Sequence, residues 1–168
     1  MMIAEYKDVP FAGRRFTEAT INHMIDFVQR GQRKPEVVSA ARQIVRNCPP
    51  KQYYCEAEAI FRWVKDNIRY TRDPQNTEWL QEPDVTLREG FGDCDCLAVL
   101  IASLAAAIGM QVGFETIKAD PRFPDDYSHV YPIMKTERGW RAADPTVFES
   151  DFGWRPTQGV FGRKVWIA

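Results

Sequence analysis

A chain of 168 residues, 45% hydrophobic and 27% charged, has enough apolar material for one domain with a sizeable core, and its balance is that of a globular rather than a disordered chain. Its 22 basic and 23 acidic side chains leave a formal net charge of -1. That balance excludes a nucleic-acid binder driven by a strong overall positive field.

Residues 1–16 have no clear period and contain Pro10 and Gly13, so they read as an arm or a short edge element. Thr17 suits the cap of a helix with Ile21, Met24, Ile25 and Val28 on one side, stopped by Gly31. Pro35 fits the first turn of a second helix, whose apolar stripe is Val37, Val38, Ala41, Ile44 and Val45, and which ends before Pro49-Pro50. A third helix is predicted from Tyr54 to Ile68, with Ala57, Ile60, Phe61, Val64 and Ile68 at helical spacing. Residues 71–91 show no convincing period and read as a long loop lining a site or surface. A helix from about Cys94 to Ile108 follows, apolar on nearly every side and therefore central and buried. Strands are expected at Gln111–Ile117, His129–Met134, Trp140–Asp144 and Phe161–Ile167. The order, helices and then an antiparallel sheet packed on the central helix, is an α+β arrangement.

No early segment has the order of a signal peptide, and the most apolar run, Leu97 to Met110, is too short to span a bilayer. The sequence reads as soluble, cytoplasmic or phage-associated, without membrane or nucleic-acid partners and with its oligomeric state undefined. The four cysteines, Cys48, Cys55, Cys94 and Cys96, would form lasting disulfides only in an oxidising setting, and nothing else in the sequence requires one.

Cys94 stands where the loop Gly90-Phe91-Gly92-Asp93 gives way to the central helix. Unpaired first-turn N–H groups and the helix dipole favour thiolate there, and the same N–H groups can receive an oxyanion. The alternative is a buried structural cysteine acting as a small hydrophobe. Cys96 lies two positions on, about 200° around the helix, so it cannot share the face of Cys94 and is expected to pack in the core. Of the two histidines, His23 reads as a surface residue of the first helix, and His129, opening a strand, is the candidate base. Asp144 ends the next strand. An even-numbered hairpin loop at Lys135–Arg138 would set it directly opposite His129, where a carboxylate can orient the imidazole.

These residues resemble the transglutaminase-like superfamily of papain-like cysteine enzymes, nearer to bacterial and phage members than to animal crosslinkers. Tyr54–Tyr70 resembles the helix placed before the active site in that family; residues 86–109, TLREGFGDCDCLAVLIASLAAAIG, resemble the nucleophile loop and central helix; and His129 with Gly139–Thr146 resembles the histidine and aspartate strands. The resemblance implies one domain over residues 1–168, with 1–53 as an N-terminal helical extension and 54–146 as the recognisable core. It implies a papain-like transglutaminase core, a catalytic triad of Cys94, His129 and Asp144, an acyl-enzyme on a protein or peptide substrate, and no metal or organic cofactor. A peptidase or amidase is the nearer analogy. Cys96 departs from many relatives. Trp79 and Gln81, before the nucleophile, are alternative donors to the oxyanion beside the Cys94 N–H.

Two other classes of function fit parts of the sequence. Cys94, Cys96 and His129, with Cys48 or Cys55, offer a tetrahedral zinc set. A non-catalytic structural or assembly module would retain the same fold without its chemistry.

Overall fold

The computed structural model describes residues 18–72 and 79–168. The expected N-terminal arm, the Thr17 cap and residues 73–78 of the long loop lie outside the described residues. Helices α1 (Glu18–Gly31), α2 (Pro35–Ile44) and α3 (Tyr53–Asn67) lead to a short strand β1 (Arg69–Tyr70). Then come α4 (Pro83–Glu89), β2 (Phe91–Gly92), α5 (Cys94–Ala107), β3 (Val112–Lys118), β4 (His129–Thr136), β5 (Gly139–Ala142) and β6 (Gly162–Ile167). β1 and β2 form a parallel pair, and the remaining strands form an antiparallel sheet in the order β5-β4-β3-β6.

Helix α5 is the hub. Every residue from Asp95 to Ala105 is buried, and α1, α2, α3, α4, β3 and β4 all touch it. Its all-round apolar sequence has no solvent face to offer, so it is enclosed by neighbours that each bury one stripe against it. Helix α1 supplies Ile21, Met24, Phe27 and Val28; α2 supplies Val37 and Ala41; α3 supplies Ala57, Ile60, Phe61 and Val64. The sheet adds Val112, Phe114, Val130 and Met134 from the face toward α5. Its other face buries a smaller cluster of Ile117, Tyr131, Ile133 and Ala142, packed against Trp140 and Val160. There Glu115, 1% exposed, takes hydrogen bonds from Tyr131 Oη and Arg163 Nη1, with Arg155 Nη2 3.4 Å away. A carboxylate is tolerated in such a place only with partners of this kind.

Residues 71–91 contain a helix where a continuous loop was expected. Seven residues show fewer than two turns, and the side of α4 that is buried is Pro83 and Thr86 rather than an aliphatic stripe. Pro83 at the first turn and Gly90 at φ 73° bound it, and Lys34 clamps its start through Glu82 and Asp84. Gly31, the last residue of α1, does more than stop a helix. A Cβ built there would fall 2.3 Å from Pro83 Cγ, so only glycine lets α4 come this close.

Cys48 and Cys55 form a disulfide across the α2–α3 turn, a bond that nothing else in the sequence required. The first turn of α3 has no cap of its own; the Tyr54 N–H donates to Glu137 Oε2 of the β4–β5 turn, 2.9 Å away. The helical half is thus fastened to the hairpin that carries His129. Among the described residues no helix is long and apolar enough to cross a membrane.

Candidate active site

Asp93 stops α5 from starting earlier. Its backbone is extended, and its Oδ1 accepts the Cys96 N–H at 3.1 Å as an N-cap. Cys94 therefore occupies the first helical position, with Gly92 and Phe91 of β2 immediately before it. The backbone pairing of β1 with β2 continues to Thr71, whose N–H meets Gly92 O at 2.8 Å, so the Arg69–Thr71 segment runs beside the approach to the cysteine.

His129 Nε2 and Asp144 Oδ2 are 2.6 Å apart. Asp144 is 1% exposed, and its other oxygen, Oδ1, receives the Thr146 hydroxyl at 2.7 Å and the Thr146 N–H at 3.0 Å. The Ser150 hydroxyl donates to Asp144 O at 2.7 Å, and Lys65 Nζ donates to Ser150, tying this loop back to α3. Burial pushes the Asp144 carboxyl up, but the bond and charge of His129 and the two Thr146 donors outweigh it and hold the group below the usual carboxylate range. With Nε2 engaged, Nδ1 is the imidazole nitrogen left to a substrate or a thiol.

The hairpin register differs from the expected one. Thr136 pairs with Gly139, leaving only Glu137 and Arg138 in the loop. The Thr136 hydroxyl accepts the Arg138 N–H and donates to Gly139 O, while Gly139 takes φ +89°, so the turn closes in two residues rather than four. The Ala143 N–H to Pro132 O bond continues this register and sets Asp144 across from Tyr131. His129 is two residues along β4 on the same side, its ring 5.9 Å from that of Tyr131. The pair therefore meets diagonally, within side-chain reach, instead of face to face.

The thiol of Cys94 is not poised as its helix position alone implies. Burial pushes its pKa well up, and the carboxylates of Asp95, Asp93 and Asp144 push it further, outweighing the Asp95 N–H that favours the thiolate. That Asp144 is felt at Cys94 brings the thiol within electrostatic range of the histidine–aspartate pair. Burial and these carboxylates disfavour the thiolate, so ionisation of Cys94 calls for a base. Cys96 is buried as expected. Its thiol donates to Trp79 O at 3.1 Å and accepts the Gln81 N–H at 3.3 Å, so it fastens the segment with both candidate oxyanion donors beside the start of α5. Gln81 Oε1 is taken by the Thr86 hydroxyl at 3.1 Å.

Iodoacetamide should label Cys94 ahead of Cys96, at a rate that climbs about tenfold per pH unit above neutrality as thiolate forms. Peptide mass mapping across pH reads both; labelling of Cys96 first, or a Cys94 rate already at its plateau at acid pH, contradicts this account.

The zinc set does not assemble. Cys48 and Cys55 are consumed in their disulfide, and Cys96 is held by Trp79 and Gln81. The group of potential ligand atoms that does come together among the described residues, within 4.8 Å, is Asp93, Asp95 and Cys96, without His129. Both aspartates there already accept the Cys96 N–H through Oδ1. His23 is remote from this site, on α1. Tyr70 and Arg72 are neighbours that sequence reading missed: burial and the Cys94 charge raise the Tyr70 phenol, which Arg72 hydrogen-bonds. Nothing in their local pattern signals this, because a two-residue strand has no period.

The transglutaminase-like superfamily profile matches residues 38–145. No curated protein matches the chain. Among solved structures, a candidate cysteine protease from Cytophaga hutchinsonii superposes with a TM-score of 0.59 at 18% identity, over 90% of this chain and 50% of its own. A candidate protease from Parabacteroides distasonis gives 0.57 at 12%, over 72% and 25%. Legionella pneumophila LapG gives 0.54 at 13%, over 86% and 87%. The chain thus spans a quarter and a half of the length of the two protease candidates, and at these identities the likeness is one of fold.

Proposed function

The chain belongs to the transglutaminase-like superfamily, and from that premise we propose that it carries out cysteine-dependent acyl transfer or hydrolysis on a peptide or carboxamide bond, with Cys94, His129 and Asp144 as its triad. The observation that carries this reading is the 2.6 Å bond from His129 Nε2 to a fully buried Asp144 carboxylate beside the first residue of α5. His129 Nδ1 takes the Cys94 proton as sulfur bonds to the carbonyl carbon. The carbon–nitrogen bond then breaks, and His129 returns that proton to the departing nitrogen. Water, deprotonated by His129, splits the thioester and frees the acid and the thiol. Asp144 keeps the imidazole in the orientation and tautomer this needs. The Cys94 N–H serves as oxyanion donor, with Trp79 and Gln81, both tied to Cys96, as the alternatives.

Hydrolysis is the preferred outcome, as peptidase or amidase, in a bacterial or phage setting. The Cys48–Cys55 disulfide favours an oxidising compartment or a released particle over reduced cytoplasm. A second reading, a non-catalytic assembly module, is favoured by the carboxylate-rich setting that disfavours the Cys94 thiolate and by the exposed aromatics Phe148, Trp154 and Phe161.

Intact-mass measurement during incubation with peptide, isopeptide and cell-wall-like amide substrates tests the choice. An acyl adduct that maps to Cys94, accompanied by amide cleavage and lost in Cys94→Ala, is expected. Cleavage that persists undiminished in folded Cys94→Ala would sink the mechanism.

A further inference from the structure

A cavity of about 180 Å³ lies at the approach to the start of α5, lined by Arg69, Arg72, Trp79, Phe91 and Asp93 among others. Its wall includes Gly92 and Asp93, the two residues that lead into Cys94. We propose that this cavity is a specificity site for a carboxylate on the substrate, an inference that rests on the acyl-transfer reading and names its substrate class.

Arg69 and Arg72 both line one small cavity in a chain of nearly balanced charge. Neither Arg69 nor Arg72 has an ion-pair partner among the described residues, a state they share with Arg33, Arg42, Arg46, Arg138 and Arg141, but these two line the same cavity. Arg72 hydrogen-bonds the Tyr70 phenol. The one carboxylate in the lining, Asp93, has Oδ1 turned to the Cys96 N–H at the positive end of α5. Guanidinium groups match a carboxylate in geometry as well as charge, and Trp79 and Phe91 provide apolar walls for a methylene stem above it. The volume suits one side chain or chain end rather than a larger ligand. A carboxylate seated here would hold the substrate beside Gly92 and Asp93, the residues that lead into Cys94. It comes from either an acidic side chain, glutamate by length, or a free peptide C-terminus.

The test separates these sources and the binding from the chemistry. Cys94→Ala protein, which cannot form the thioester, is titrated by NMR with N-acetylglutamate α-amide, with N-acetylglutamine bearing a free α-carboxylate, and with N-acetylglutamine α-amide. One or both acids should bind about tenfold more tightly than the neutral amide, as expected of a charge-assisted pair. Added salt should reduce that advantage, and Arg69→Gln with Arg72→Gln should abolish it in folded protein. Equal binding of all three ligands, or an advantage that survives both substitutions, overturns the site. Discriminating binding without turnover by the unsubstituted protein would leave the site standing and remove the enzyme reading. Turnover without discrimination would do the reverse.

Discussion

If the proposed triad operates, Asp144→Asn should lower kcat about 10⁴-fold in folded protein, read on whichever amide yields the acyl-enzyme. The size of this loss follows from Thr146 rather than from charge alone. Both the Thr146 hydroxyl and its N–H point at Oδ1, so an introduced amide must turn its oxygen to Thr146 and its NH₂ to His129. The imidazole then has to accept at Nε2 and carries its proton on Nδ1, the tautomer that cannot take a proton from Cys94. An asparagine free to present its oxygen to the histidine would be far better tolerated. Removing the hydroxyl as well, in a Thr146→Val, Asp144→Asn double variant, weakens that lock and should recover about tenfold. Loss through mere misfolding would not recover, and a single variant within threefold of the parent would show that His129 does not depend on the Asp144 acceptor.

The largest effect on stability is expected at Ile101. It is fully buried in α5, in the cluster shared by the helices and the sheet, so Ile101→Ala should cost about 2–5 kcal/mol through lost transfer energy and a residual cavity. Val165→Ala, on the half-exposed β6, serves as the control and should stay within about 0.5 kcal/mol. Denaturant melts of the two variants decide it; a cost at Ile101 no larger than at Val165 would mean that α5 is not the hub.

The enclosure of α5 was legible because a long run without a polar side leaves one place for a helix to go. The strands from β3 to β6 showed through their partial alternation, and the odd separation of His129 and Asp144 already suggested a shared side. The diagonal offset was not legible, since it depends on Thr136 and Gly139 closing a shorter turn than the count of residues required. Helix α4 escaped because its buried face is proline and threonine. The disulfide escaped because Cys48 and Cys55 approach only once α2 and α3 turn back on each other. The disfavoured thiolate of Cys94 was invisible for a related reason. Its neighbours in sequence, Asp93 and Asp95, were in plain view, but burial and the Asp144 charge arise only on folding.

The counter-charges of Glu115 carry a consequence for how the sheet is made. β3 and β4 can pair as soon as residues 112–136 leave the ribosome, but the acid then enclosed at Glu115 still lacks Arg155 and Arg163, which follow tens of residues later. Until the segment with Arg155 and Arg163 packs against it, the hairpin offers Glu115 only Tyr131 and water, so burial of that face is expected to wait for those arginines. β6 then adds to the edge of β3 and brings Arg163 with it in one step. β6 works as a clasp, closing the edge of β3 and the charge of Glu115 together.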